Sequence, residues 1–72
     1  MKISAKNVLK GKVKAILWGA VNAEVLLELQ GGVEVTSVIT KSSVENLNLK
    51  VGGEAYAVIK ASNVLIGVDE NV

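Results

Sequence analysis

Residues 23–40 read AEVLLELQGGVEVTSVIT, and the period of this stretch decides the fold. Ala23, Val25, Leu27 and Leu29 fall on one side of a two-residue repeat, with Glu24, Leu26 and Glu28 on the other. Side chains of an extended chain point alternately to opposite faces, so this is the pattern of a strand with one buried face. Gly31-Gly32 is a tight-hairpin signal, and residues 33–40 resume as the return strand.

Working toward the N-terminus, residues 7–18 form a further expected strand. Leu9, Gly11, Val13, Ala15 and Leu17 share one face, and Lys10, Lys12 and Lys14 share the other with Ile16 and Trp18. Residues 19–22, GAVN, turn the chain. Toward the C-terminus the period of two breaks in KSSVENLNLKVGG, residues 41–53. Ser42 followed by Glu45 fits a capping box, with Val44, Leu47 and Leu49 on the inner side of one or two helical turns. Gly52-Gly53 stops that helix. Strands are expected over 54–61 and 64–68, with residues 69–72 as a frayed tail. The sum is an all-β chain: a five-stranded OB-like β-barrel with one short helix between strands 3 and 4. A five-stranded β-roll with other connections is the alternative.

At 72 residues the chain is one domain, spanning 1–72. A single core below ~70–80 residues rarely supplies more than ~3–5 kcal/mol, so such domains lean on disulfides, a metal or a partner subunit. There is no Cys and no His, which excludes disulfides and soft-metal sites. Half the residues are apolar, so self-association is the support expected. Ile16, Trp18, Leu26, Val38 and Val58 interrupt the polar faces; they either fill the barrel from the other side or form a subunit interface, and the interface is favoured. No apolar run reaches the ~18–20 residues of a membrane span and no leader pattern is present, which points to a cytoplasmic protein without membrane contact.

Catalysis finds no support, because the usual general base and thiol nucleophile are missing and no phosphate loop or dinucleotide fingerprint occurs. Glu24 and Glu28 read as solvated strand charges. Single-strand nucleic-acid binding is the alternative function for an OB-like barrel, with Lys10, Lys12 and Lys14 as its stripe. It normally relies on aromatic stacking in a basic groove, and here only Trp18 and Tyr56 are present under a net charge of +1. A solvated strand face explains the lysines better.

Two further clusters answer each other from opposite ends of the chain, ISAKN at 3–7 and IKASN at 59–63. If both are extended, Ser4 and Lys6 point the same way, as do Lys60 and Ser62. Each then offers an ammonium and a hydroxyl among small alanines. Brought together, they suit a small dianion held by charge-assisted hydrogen bonds.

The chain resembles the molybdate-binding Mop family, the molbindins, along nearly its whole length. The match is carried by ISAKN at 3–7, LKGKV at 9–13, GAVNAEVLLEL at 19–29, VTSVITKSSVENLNLKVG at 35–52 and AVIKASNVLIGV at 57–68. The resemblance implies an OB-like fold, a homo-oligomer that is a hexamer built as a trimer of dimers, and molybdate or tungstate as ligand rather than cofactor. It implies an oxyanion site at a subunit interface. One subunit supplies Ser4 and Lys6 with Asn7 adjacent; the other supplies Lys60 and Ser62, with the backbone of Gly19, Ala20 and Val21. Thr40 and Ser42 match a hydroxyl-rich stretch of the family and join the candidate set, although Ser42 also reads as a helix cap and Thr40 as a strand end. On this reading a single chain holds only half of the site. The family often carries Arg where Lys6 stands; Lys keeps the charge but loses the planar fork of donors. The expected function is intracellular capture, storage and buffering of molybdate by a free-standing protein that begins at Met1. An assembly domain that has lost its ligand is the third possibility.

Overall fold

The computed structural model describes residues 1–70. Four strands and one short helix follow in the order β1 (Asn7–Trp18), β2 (Asn22–Leu29), β3 (Glu34–Thr40), α1 (Lys41–Asn46) and β4 (Glu54–Ile59). All strand pairs are antiparallel and the sheet order is β3-β2-β1-β4. The sheet curls around a core of Val13, Ala23, Val25, Leu27, Val44 and Ala57, with Ile16, Val35, Ile39, Leu49 and Ala55 packed against it. Val44 is the buried contribution of α1, which closes one end of the curl.

The β2–β3 hairpin forms as its period requires: Val25 pairs with Ser37 and Leu27 with Val35. The turn over Gln30–Gly32 is kinked at Gly31 and is closed by the Leu29 N–H donating to Val33 O at 2.6 Å. Gly31 and Gly32 both have φ of +87°, where a Cβ is disfavoured, so the glycine pair is a backbone requirement.

Three expectations need correction. First, the alternation of β1 is interrupted. Val13 pairs with Leu27, but Ala15 pairs with Leu26, so Lys14 is the extra residue of a β-bulge. Beyond it the facing side chains exchange: Ile16 lies opposite buried Val25, and Leu17 is left 62% exposed. Ile16 therefore belongs to the core, while Trp18, Val38 and Val58 are exposed.

Second, the helix cap is Thr40, not Ser42. Thr40 Oγ1 accepts the Ser43 N–H at 3.1 Å, and no capping box with Glu45 forms. Leu47, expected inside, is exposed.

Third, no fifth strand forms among the described residues. β4 ends at Ile59, Ala61–Asn63 is a 3-10 turn, and residues 64–68 pair with nothing among the described residues. Leu65, Ile66 and Val68 are 91%, 87% and 88% exposed. The fold is a four-stranded half-barrel. Its missing side is a groove of about 690 Å³ between β3 and β4, lined by Val35, Ile39, Ala57 and Ile59 among others. Of the expected tail, Asp69 and Glu70 carry no regular structure, and 71–72 lie outside the described residues.

Candidate oxyanion site

The two end clusters leave the sheet at the same end. Asn7 opens β1 and pairs with Ile59, the last residue of β4. Ser4, Lys6, Lys60 and Ser62 therefore sit on chain segments that emerge side by side from one end of the sheet, all four exposed. The Asn7 amide has a structural task here, donating from Nδ2 to Ile59 O at 3.3 Å and tying the strand ends together.

Strand alternation does not orient these clusters. Ser4 and Lys6 precede β1, and Ser62 lies in the 3-10 turn, so the two-residue period reaches none of them. The Asn63 N–H donates to Lys60 O at 2.9 Å and the Val64 N–H to Ala61 O at 3.2 Å, which folds the second cluster into a compact turn. The result is an open cationic end with two ammonium groups and two hydroxyls. Among the described residues no carboxylate forms an ion pair with Lys6 or Lys60.

The remaining candidates gather at the other end of β1. Gly19, Ala20 and Val21 form the β1–β2 connection, closed by the Gly19 N–H donating to Asn22 O at 2.8 Å. A Cβ on Gly19 would lie 2.9 Å from that same oxygen, so the close turn needs glycine. Asn22 pairs with Thr40, and the Lys41 N–H donates to Val21 O at 3.0 Å, so the connection and the start of α1 are locked together. Thr40 Oγ1 lies 3.1 Å from Ser42 Oγ and 2.7 Å from Ser43 Oγ. The Thr40 hydroxyl is thus already engaged by its own helix cap.

These two groups do not converge in one chain. The twelve residues of β1 separate them by roughly 35 Å of strand, and no hydrogen bond among the described residues links them. Trp18 and Asn22 line a depression of about 280 Å³ beside Gly19.

The lysine stripe is not an open basic groove. Lys10 pairs with Glu54 at 3.5 Å, and Lys14 is bound to Glu34. That carboxylate, by hydrogen bond first and charge second, raises the Lys14 pKa above its ordinary 10.5. Trp18 and Tyr56 stand at different places along β1, since Tyr56 pairs with Lys10. The arrangement lacks the row of aromatics that stacks a single strand.

Comparison with known proteins agrees with the fold. The TOBE domain family matches residues 3–66. The probable molybdenum-pterin-binding protein of Haemophilus influenzae is 52% identical over 69 residues, covering 96% of this chain and 100% of that protein. Among solved structures, MopII from Clostridium pasteurianum superposes with a TM-score of 0.88 at 49% identity, covering 93% of this chain and all of that one. The cytoplasmic molybdate-binding protein ModG, solved with molybdate bound, gives a TM-score of 0.92 at 59% identity, covering 96% of this chain and 49% of its own. No helix of the described residues is long and apolar enough to cross a membrane.

Proposed function

This chain belongs to the TOBE-domain family, among the small molybdenum-pterin-binding Mop proteins, and we propose that it captures molybdate reversibly. The observation that carries the reading is the pairing of Asn7 with Ile59, which gathers Lys6 and Lys60 with Ser4 and Ser62 at one cationic end. Two ammonium groups match a dianion in charge, and the hydroxyls add donors with direction. A unit charge pair at ~4 Å is worth very roughly 4 kcal/mol at an effective dielectric near 20, before desolvation. Capture is non-covalent, so the chain acts as a store and buffer rather than an enzyme. Tungstate has the same charge and tetrahedral shape and is a ligand on the same grounds. A cytoplasmic location fits, since ModG is a cytoplasmic molybdate-binding protein.

The site is completed by a second copy. The hairpin backbone at Gly19, Ala20 and Val21 lies at the far end of β1, so it reaches the cationic end only from another subunit. Residues 64–68 are the element that joins the copies. They are apolar, exposed and without a partner strand, and they span about 17 Å when extended. The groove between the β3 and β4 edges lacks one strand of about that length. Inserting 64–68 of a second copy there closes both barrels into five strands and satisfies both edges. A trimer of such dimers is the assembly the reading expects.

Calorimetric titration of the full chain with molybdate, sulfate and a short single-stranded oligonucleotide at physiological salt tests the function. Molybdate binding at micromolar concentration or tighter, with weak sulfate binding, supports it. Binding of the oligonucleotide alone overturns it.

A further inference from the structure

The β-bulge in β1 carries a consequence for this site. Before the bulge Gly11 and Val13 are the buried residues of the strand; beyond Lys14 it is Ile16, opposite Val25, that packs on the core, and Leu17 is exposed. A one-residue shift of this kind turns every later side chain to the other face. It also sets the face and twist with which the strand delivers its last turn, and bulges are a recurring means of re-aiming residues near functional sites. The strand beyond this bulge ends in Gly19, Ala20 and Val21. The bulged residue is also fastened. Lys14 reaches across β2 to Glu34 at the start of β3, the ion pair that joins β1 to a strand it does not neighbour in the sheet.

We infer that Lys14, the bulge residue held by Glu34, is a positioning residue for the hairpin half of the oxyanion site. This inference rests on the molybdate reading above. It assigns the Lys14–Glu34 pair no contact with the anion, only the task of holding the bulge so that the Gly19–Val21 backbone meets the cationic end of a second copy at one angle.

Charge effects and positioning predict opposite results for Glu34→Gln, which makes that variant decisive. If the pair acted only through the field it creates, Lys14→Ala would weaken anion binding and Glu34→Gln, which removes a negative charge, would strengthen it. Positioning predicts that both weaken molybdate binding, each by about threefold to fivefold, the scale of one exposed ion pair. Lys14→Arg keeps the pair and the affinity. Lys12→Ala, which removes a neighbouring charge outside the bulge, leaves affinity unchanged. The measurement is calorimetry on the full chain, with thermal melts confirming that each variant is folded at the titration temperature. Glu34→Gln that binds as well as wild type or better overturns the inference alone, as does Lys14→Ala without effect. A wild-type chain that binds no molybdate overturns the functional reading and this inference with it.

Discussion

Lys60 stands one residue past β4, beside the segment that carries Ser4 and Lys6, and its ammonium is the charge the proposed site depends on most. Lys60→Ala is expected to weaken molybdate binding at least about tenfold, the cost of one charge-assisted hydrogen bond. Its exposure predicts an unchanged melting temperature. Unchanged affinity by calorimetry removes Lys60 from the site. Lys6→Arg keeps the charge and adds a fork of donors, so binding is expected to hold or tighten. Thr40 is a different kind of residue: its hydroxyl caps α1, so Thr40→Ala should cost about 1 kcal/mol in urea unfolding. The Lys14 pair has a pH signature with a definite sign. A folded-state pKa raised above 10.5 means that its stabilisation is complete below that value and fades as pH rises through the folded pKa. Wild type and Lys14→Ala should therefore converge in melting temperature only on the alkaline side of 10.5.

At the scale of elements, the bulge is the feature that alternation alone misreads. Uninterrupted alternation buries Leu17 and exposes Ile16; the register does the reverse. Ile16→Ser should cost about 2–3 kcal/mol, since a hydroxyl replaces a packed side chain. Leu17→Ser should stay within about 1 kcal/mol as a surface change. The opposite ranking in urea titrations sinks the bulge. The β2–β3 hairpin was legible because its period runs unbroken into a glycine pair. The helix was legible as an interruption but not in its cap. Thr40 and Ser42 are both good caps by residue type, and only the point where β3 stops decides between them.

At the scale of the whole molecule, the core is small and the apolar segment after β4 lies outside it. Six buried hydrophobic side chains make a small core, while Leu65, Ile66 and Val68 stand almost fully exposed. A chain truncated after Asn63 retains β1 to β4 and loses the segment proposed to bridge subunits. It should run as a monomer in light scattering and lose molybdate affinity, whereas the full chain runs as a multimer. A truncated chain that assembles and binds like the full one removes 64–68 from the interface.

Composition, period and glycine placement determine an all-β chain with a helical break after the third strand, because alternation and turn chemistry are local properties. The lysine and hydroxyl clusters were visible for the same reason. Two things were settled only in three dimensions. The pairing of Asn7 with Ile59 joins residues 52 apart in sequence, and the slip of one residue at Lys14 reassigns the far half of β1. Both depend on which strand edges find each other and on how much apolar surface each register buries. The apolar segment 64–68 makes the same point: its sequence reads as a strand, but a strand needs a partner, and the described residues supply none.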